Sequence, residues 1–140
     1  MKHWMEYVKA SYEMVLIAEE RAHITLEHEV EAWTVHTLAR YMEQPHIPTD
    51  AVALSMMRAL GATGQRKKAE LQRVAEECLL VDGLQLNRRR WPSQHYFRDM
   101  GRIALENRAW IEYPPEHLYE RVAQQFDTIS RVLHNVRVID

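Results

Sequence analysis

Apolar side chains return every three or four residues along almost the whole of this 140-residue chain, and that period belongs to helices that bury one face. The cleanest run is the last. Leu118, Val122, Phe126 (with Gln125 beside it), Ile129, Leu133 and Val136 form one stripe, and Pro114-Pro115 opens it. Proline suits the first helical position, where its missing donor costs nothing. With only four glycines and five prolines, the chain is poor in the residues that a β-rich fold needs for tight turns. The expectation is an all-α, compact, bundle-like domain of five to six helices spanning residues 1–140.

The elements follow from the same spacing. Trp4, Val8, Ser11/Tyr12, Val15 and Ala18 predict a first helix. Leu26, Val30, Trp33, Thr37/Leu38 and Tyr41 predict a second, with Thr25 placed to cap it and Glu27 and Glu29 in its first turn. One long helix over residues 3–43, bent near 22–25, fits the pattern equally well. Pro45 and Pro48 end this part, because proline breaks the backbone ladder. A short helix capped by Thr49 or Asp50 then runs to Gly61, and Gly61-Ala62-Thr63-Gly64 reads as a turn. The next helix buries Leu71, Val74/Ala75, Cys78 and Leu79 and stops near Asp82-Gly83. Leu84 to Arg90 reads as a further helical turn. Ser93 caps the helix carrying Tyr96/Phe97, Met100, Ile103/Ala104 and Asn107. The last stripe is the expected interface or central element.

Three segments stand out: Glu29-Val30-Glu31-Ala32-Trp33 through Tyr41, Cys78-Leu79-Leu80-Val81-Asp82-Gly83-Leu84 followed by Arg88-Arg89-Arg90, and His95-Tyr96-Phe97-Arg98-Asp99-Met100-Gly101-Arg102-Ile103-Ala104. Together they resemble a family of uncharacterised small all-helical proteins from bacteria. The likeness covers roughly residues 25–135 by eye. Where the family has Phe-Pro after Gly-Leu, this chain has Gln85-Leu86. The resemblance implies an all-helical fold. It implies no activity, so no catalytic residue carries over.

Charge and cysteine content narrow the setting. The single cysteine, Cys78, sits in the apolar run Cys78-Leu79-Leu80-Val81 and reads as a small buried hydrophobe. One thiol makes no internal disulfide, so no oxidising compartment is implied. The longest apolar run, Met14 to Ala18, is far below the ~20 residues of a membrane span. Glu6, Lys9 and Glu13 interrupt any signal-peptide core, and a cytoplasmic protein is expected. The net charge of −2 conceals an asymmetry. Residues 1–44 hold four Lys/Arg against eight Asp/Glu, whereas residues 58–108 hold eleven against six. Attraction between these regions, within one chain or between chains, is expected.

Two groupings are chemically suggestive. Glu19, Glu20, His23, Glu27, His28 and Glu31 crowd together in sequence, and Glu20-Arg21-Ala22-His23 has the Glu-x-x-His spacing of di-iron bundles. A second such pair is missing: Pro45 spoils Glu43-Gln44-Pro45-His46, and Glu116-His117 has the wrong spacing. No metal and no cofactor is therefore assigned. The other grouping is basic. Arg88, Arg89 and Arg90 precede Trp91, and Arg98 and Arg102 share a helix face just beyond Ser93. Guanidinium forks beside a helix N-terminus suit anions, and a tryptophan beside arginines is typical of a binding hot spot. Arg66, Lys67, Lys68 and Arg108 extend the basic character. The same residues read equally as a solvated face paired with acids such as Glu70, Glu76 and Glu77.

No catalytic signature is present. Gly61 to Lys68 lacks the order of a phosphate loop and no strand precedes it. There is no Gly-x-Ser-x-Gly and no Cys-x-x-Cys. Asp82 and Asp99 read as structural acids that bond backbone or pair with an arginine. Met56 and Met57 suit either a core or an adaptable surface. The leading expectation is thus a non-enzymatic helical interaction module, with a protein partner or as a homodimer, using Arg88, Arg89, Arg90, Trp91, Arg98 and Arg102. The alternatives are a ligand- or metal-binding bundle using Glu20, His23, Glu27 and His28, and weak nucleic-acid or anion binding through the arginines.

Overall fold

The computed structural model describes residues 3–45, 52–86, 94–112 and 117–136. Among them are seven helices and no strand: α1 Trp4–Ala22, α2 His28–Glu43, α3 Val52–Gly61, α4 Gly64–Gly83, α5 Gln94–Trp110, α6 Leu118–Gln124 and α7 Phe126–Leu133. None of the described helices is long and apolar enough to cross a membrane.

The all-α class is as expected, and the additional helix comes from the last stripe, which is broken at Gln125. There the backbone leaves the helical basin, with φ −100° and ψ 11°. Hydrogen bonds nevertheless run through the break, from Gln125 N–H to the Arg121 carbonyl (2.9 Å) and from Ile129 N–H to the Gln125 carbonyl (2.8 Å). The phase of the stripe survives, so Val122, Phe126, Ile129 and Leu133 are all buried. A kink that preserves phase leaves no mark on apolar spacing.

Residues 3–43 form two helices. α1 ends in a Schellman motif, with His23 N–H bonded to the Glu20 carbonyl (3.3 Å) and Ile24 N–H to the Glu19 carbonyl (3.1 Å). His23 occupies the left-handed position that glycine usually fills, at φ 56°. Thr25 does not cap α2. The chain stays non-helical through Glu27, because the Glu19 carboxylate accepts the Leu26 N–H at 2.8 Å. The expected caps at Thr49, Asp50 and Ser93, and the helical turn expected over Leu84–Arg90, fall wholly or partly outside the described residues.

The centre belongs to α4 rather than to the last segment. Its Leu71, Val74, Ala75, Cys78 and Leu79 are buried as predicted, and its last four residues, Leu80 to Gly83, are buried as well. α4 packs against α3, α5 and α7. Close approach needs small residues: a Cβ on Gly83 would stand 2.7 Å from Leu133, and one on Gly101 would stand 2.5 Å from the Phe126 ring. The main core joins Trp33, Leu71, Cys78, Phe97, Leu105 and Phe126. A smaller core of Val15, Val35, Leu38 and Leu80 fastens α1 and α2 to the end of α4. Cys78 is fully buried, and burial pushes its thiol well above the usual range, so it is inert as a nucleophile.

Candidate binding surfaces

The arginines singled out in the sequence divide into two sets. Arg88, Arg89, Arg90 and Trp91 lie outside the described residues. Arg98 and Arg102 share one face of α5, and both are engaged by acids of their own chain. Arg98 forks onto Asp82 through Nε (3.1 Å) and Nη2 (3.3 Å). Arg102 holds Asp99 at 2.8 Å, and Asp127 on α7 lies within 4 Å of both guanidiniums. Asp82 and Asp99 are thus the arginine partners that the sequence suggested. Asp82 also accepts the Ser130 hydroxyl, so this buried carboxylate ties α4 to α5 and α7. Asp82 raises the Arg98 pKa further by bonding its charged form.

Ser130, His134 and Asp82 have the residue types of a hydrolytic triad, but their wiring opposes that chemistry. Ser130 is buried and donates its proton to Asp82, not to His134. His134 Nε2 faces the Asp82 backbone carbonyl at 3.1 Å, which requires that nitrogen to carry the hydrogen. A nitrogen already protonated cannot take the serine proton. The grouping is a strut between helices.

The Glu20, His23, Glu27 and His28 set does not converge. The turn at His23 ends α1, and His28 begins α2 after the irregular stretch. Among the described residues, no group of three or more His, Cys, Asp or Glu side chains is placed to hold a metal ion.

What the fold does create is a groove between α1 and α2. It has a volume of about 440 Å³ and is lined by Met5, Val8, Lys9 and Tyr12 of α1 and by His28, Glu31, Ala32, Val35 and His36 of α2. Val8 and Val35 also belong to the smaller core, so the groove is that core continued outward. His36 packs beside Trp4, with ring centroids 6.2 Å apart, and its Nδ1 meets the Ala32 carbonyl at 2.8 Å. Glu19 on α1 is only 6% exposed, and its carboxyl accepts the Leu26 N–H. Burial first, then the Glu31 carboxyl, push Glu19 up to about 7, although the Leu26 N–H pulls the other way. The sequence grouped Glu19 and Glu31 only as metal-ligand candidates. Glu19 stands four residues after Val15 on the inner stripe, and that phase was the available signal.

A second surface is the outer side of α3. Val52, Met56 and Ala59 face the core, while Leu54 (60% exposed), Met57 (69%) and Leu60 (45%) project from the opposite side. The sequence left the two methionines undivided, and the fold separates them.

Ion pairs add a third observation. Arg40 on α2 forks onto Glu76 on α4 (2.8 and 2.9 Å), and Arg121 on α6 pairs with Glu27 and Glu29. The Glu70, Glu76 and Glu77 acids pair with Arg66, Arg40 and Arg73 respectively. Among the described residues, no ion pair joins an acid of residues 1–44 to a base of residues 58–108. Glu6, Glu13 and Glu20 of α1, and Arg58 and Lys67, form no ion pair there.

Comparison of the chain with protein-family models, with curated proteins and with solved structures finds no match. The resemblance drawn above rests on its three sequence segments alone.

Proposed function

We propose that this protein is a non-enzymatic helical interaction module that pairs with a second copy of itself through the outer side of α3. The observation that carries this reading is a ten-residue helix that is apolar on both sides. A helix of that kind gains stability by burying both of them. One side already meets the core. Covering Leu54, Met57 and Leu60 removes the rest from water, at ~25 cal/mol per Å² of apolar surface.

A second copy suits this face because the chain is charge-complementary to itself. Among the described residues Arg58 and Lys67 on the basic side, and Glu6, Glu13 and Glu20 on the acidic side, form no ion pair, so these charges are left to attract the opposite region of another molecule. In this reading Arg58, Lys67 and the Arg88–Trp91 segment supply the basic side, and Glu6, Glu13 and Glu20 the acidic side.

The test is the double variant Leu54→Glu with Met57→Glu, compared with the parent chain by light scattering after size exclusion. Both side chains are exposed, so the variant is expected to keep its helical content and thermal transition. The expected result is a dimeric parent and a monomeric variant. A variant that dimerises as well as the parent would refute the assignment of α3.

A further inference from the structure

Pairing through α3 needs a receiving surface on the second copy, and α3 itself is unsuited to be that surface. Arg58 is the one charged residue of α3, and it is exposed on the same face as Leu54, four residues earlier. Two α3 helices set against each other would bring two guanidiniums together, with no acid in either helix. The receiver has to be both apolar and acidic.

One face of α1 has both properties. Met5, Tyr12 and Leu16 recur at intervals of seven and four residues, so they form one exposed apolar line. Glu6, Glu13 and Glu20 recur every seven residues and form a second exposed line beside it. Among the described residues these three acids and Arg58 form no ion pair. The apolar line borders the α1–α2 groove, which Met5 and Tyr12 help to line and whose volume is about 440 Å³. Within that lining Lys9 and Glu31 offset each other, so the acidic line sets the sign of the surface. Lengths agree as well. Leu54 to Leu60 rises ~9 Å along α3, and Met5 to Tyr12 rises ~10 Å along α1. In the same chain α3 packs on α4 and α5, whereas α1 packs on α2 and α7, so different parts of the bundle present the two surfaces.

We propose, building on the pairing above, that the outer side of α3 docks into the α1–α2 groove of the second copy. Leu54, Met57 and Leu60 lie against Met5, Tyr12 and Leu16, and Arg58 faces the line of Glu6, Glu13 and Glu20. This is recognition of a helix by a groove, with apolar anchors at helical spacing and charges alongside. A two-fold axis makes the contact twice, so each copy both gives and receives an α3.

The test is light scattering after size exclusion, at low salt and over a range of concentrations, on the parent and three variants. Met5→Gln with Tyr12→Gln removes the apolar line and adds no charge, at two exposed positions. This variant should keep its helical content and be monomeric, as Leu54→Glu with Met57→Glu should be. The other two are Arg58→Glu alone and Arg58→Glu combined with Glu13→Arg, which carry the test if the first variant fails to fold. Arg58→Glu should weaken pairing about tenfold, since a partly screened ion pair is lost in each of two contacts. Adding Glu13→Arg should recover most of that loss. Undiminished pairing in a folded Met5→Gln/Tyr12→Gln variant, or no recovery in the charge swap, would overturn docking into the groove. With Leu54→Glu/Met57→Glu still monomeric, the α3 pairing itself would stand. A parent that is monomeric at every concentration would overturn both.

Discussion

Glu19→Gln should stabilise the protein, and by an amount that depends on pH. Glu19 is 6% exposed, and its carboxyl is raised from an ordinary 4.5 to about 7, by burial first and by Glu31 second. Between those two values the folded chain holds a proton that the unfolded chain releases. Stability from this group is therefore complete below the unfolded value, falls as pH rises through the window, and levels off above the folded value. At ~1.4 kcal/mol per unit, the full shift corresponds to ~3 kcal/mol. Partial solvent screening reduces this, so an effect of ~1–2 kcal/mol is expected. Glutamine copies the protonated acid: its carbonyl can still accept the Leu26 N–H, and its amide can donate to Glu31. Urea unfolding of both chains at pH 4, 6 and 8, followed by circular dichroism, provides the assay. The variant should equal the parent near pH 4 and exceed it by ~1–2 kcal/mol at pH 8. A variant no more stable than the parent at pH 8, or a difference that does not change with pH, would refute the reasoning.

Three further substitutions test the fold. His23→Gly should raise stability by about 1 kcal/mol in thermal unfolding, because glycine adopts the left-handed Schellman position without strain. Gly101→Ala should cost ~1–3 kcal/mol, since the new methyl would meet the Phe126 ring and Cys78 on a buried face. Asp82→Asn should cost about 2 kcal/mol in denaturant unfolding, as Arg98 and Ser130 lose the carboxylate they share; an unchanged midpoint would mean that the strut contributes nothing.

Much of the helical layout was legible in the sequence because burial and helical phase are the same information. Val15, Trp33, Leu71, Cys78, Phe97 and Ile129 were all placed inward by spacing, and all are buried. The misses have physical causes. Gln125 kinks the last stripe without shifting its phase. His23 takes a conformation that its residue type does not advertise, and Glu19 then occupies the Leu26 N–H, leaving Thr25 without its expected role. Long-range pairing is invisible to local pattern: nothing in the spacing of Arg98 shows that Asp82 will meet it, or that Arg40 will reach Glu76. The groove was missed for the same reason, since it exists only where side chains of α1 and α2 meet. On α3 the Met56-Met57 pair suited either core or surface, and spacing did not show that the fold would bury Met56 and leave Leu54, Met57 and Leu60 outside.

Sedimentation velocity of the unmodified chain asks whether a second copy covers the outer side of α3. Runs spanning roughly 1–100 µM cover the range of a moderate-affinity pair. The expected result is a concentration-dependent rise to twice the 16.6 kDa chain mass, with the transition moving to higher concentration as salt is added. A single species of 16.6 kDa across the whole range, at low salt as well as high, would contradict it.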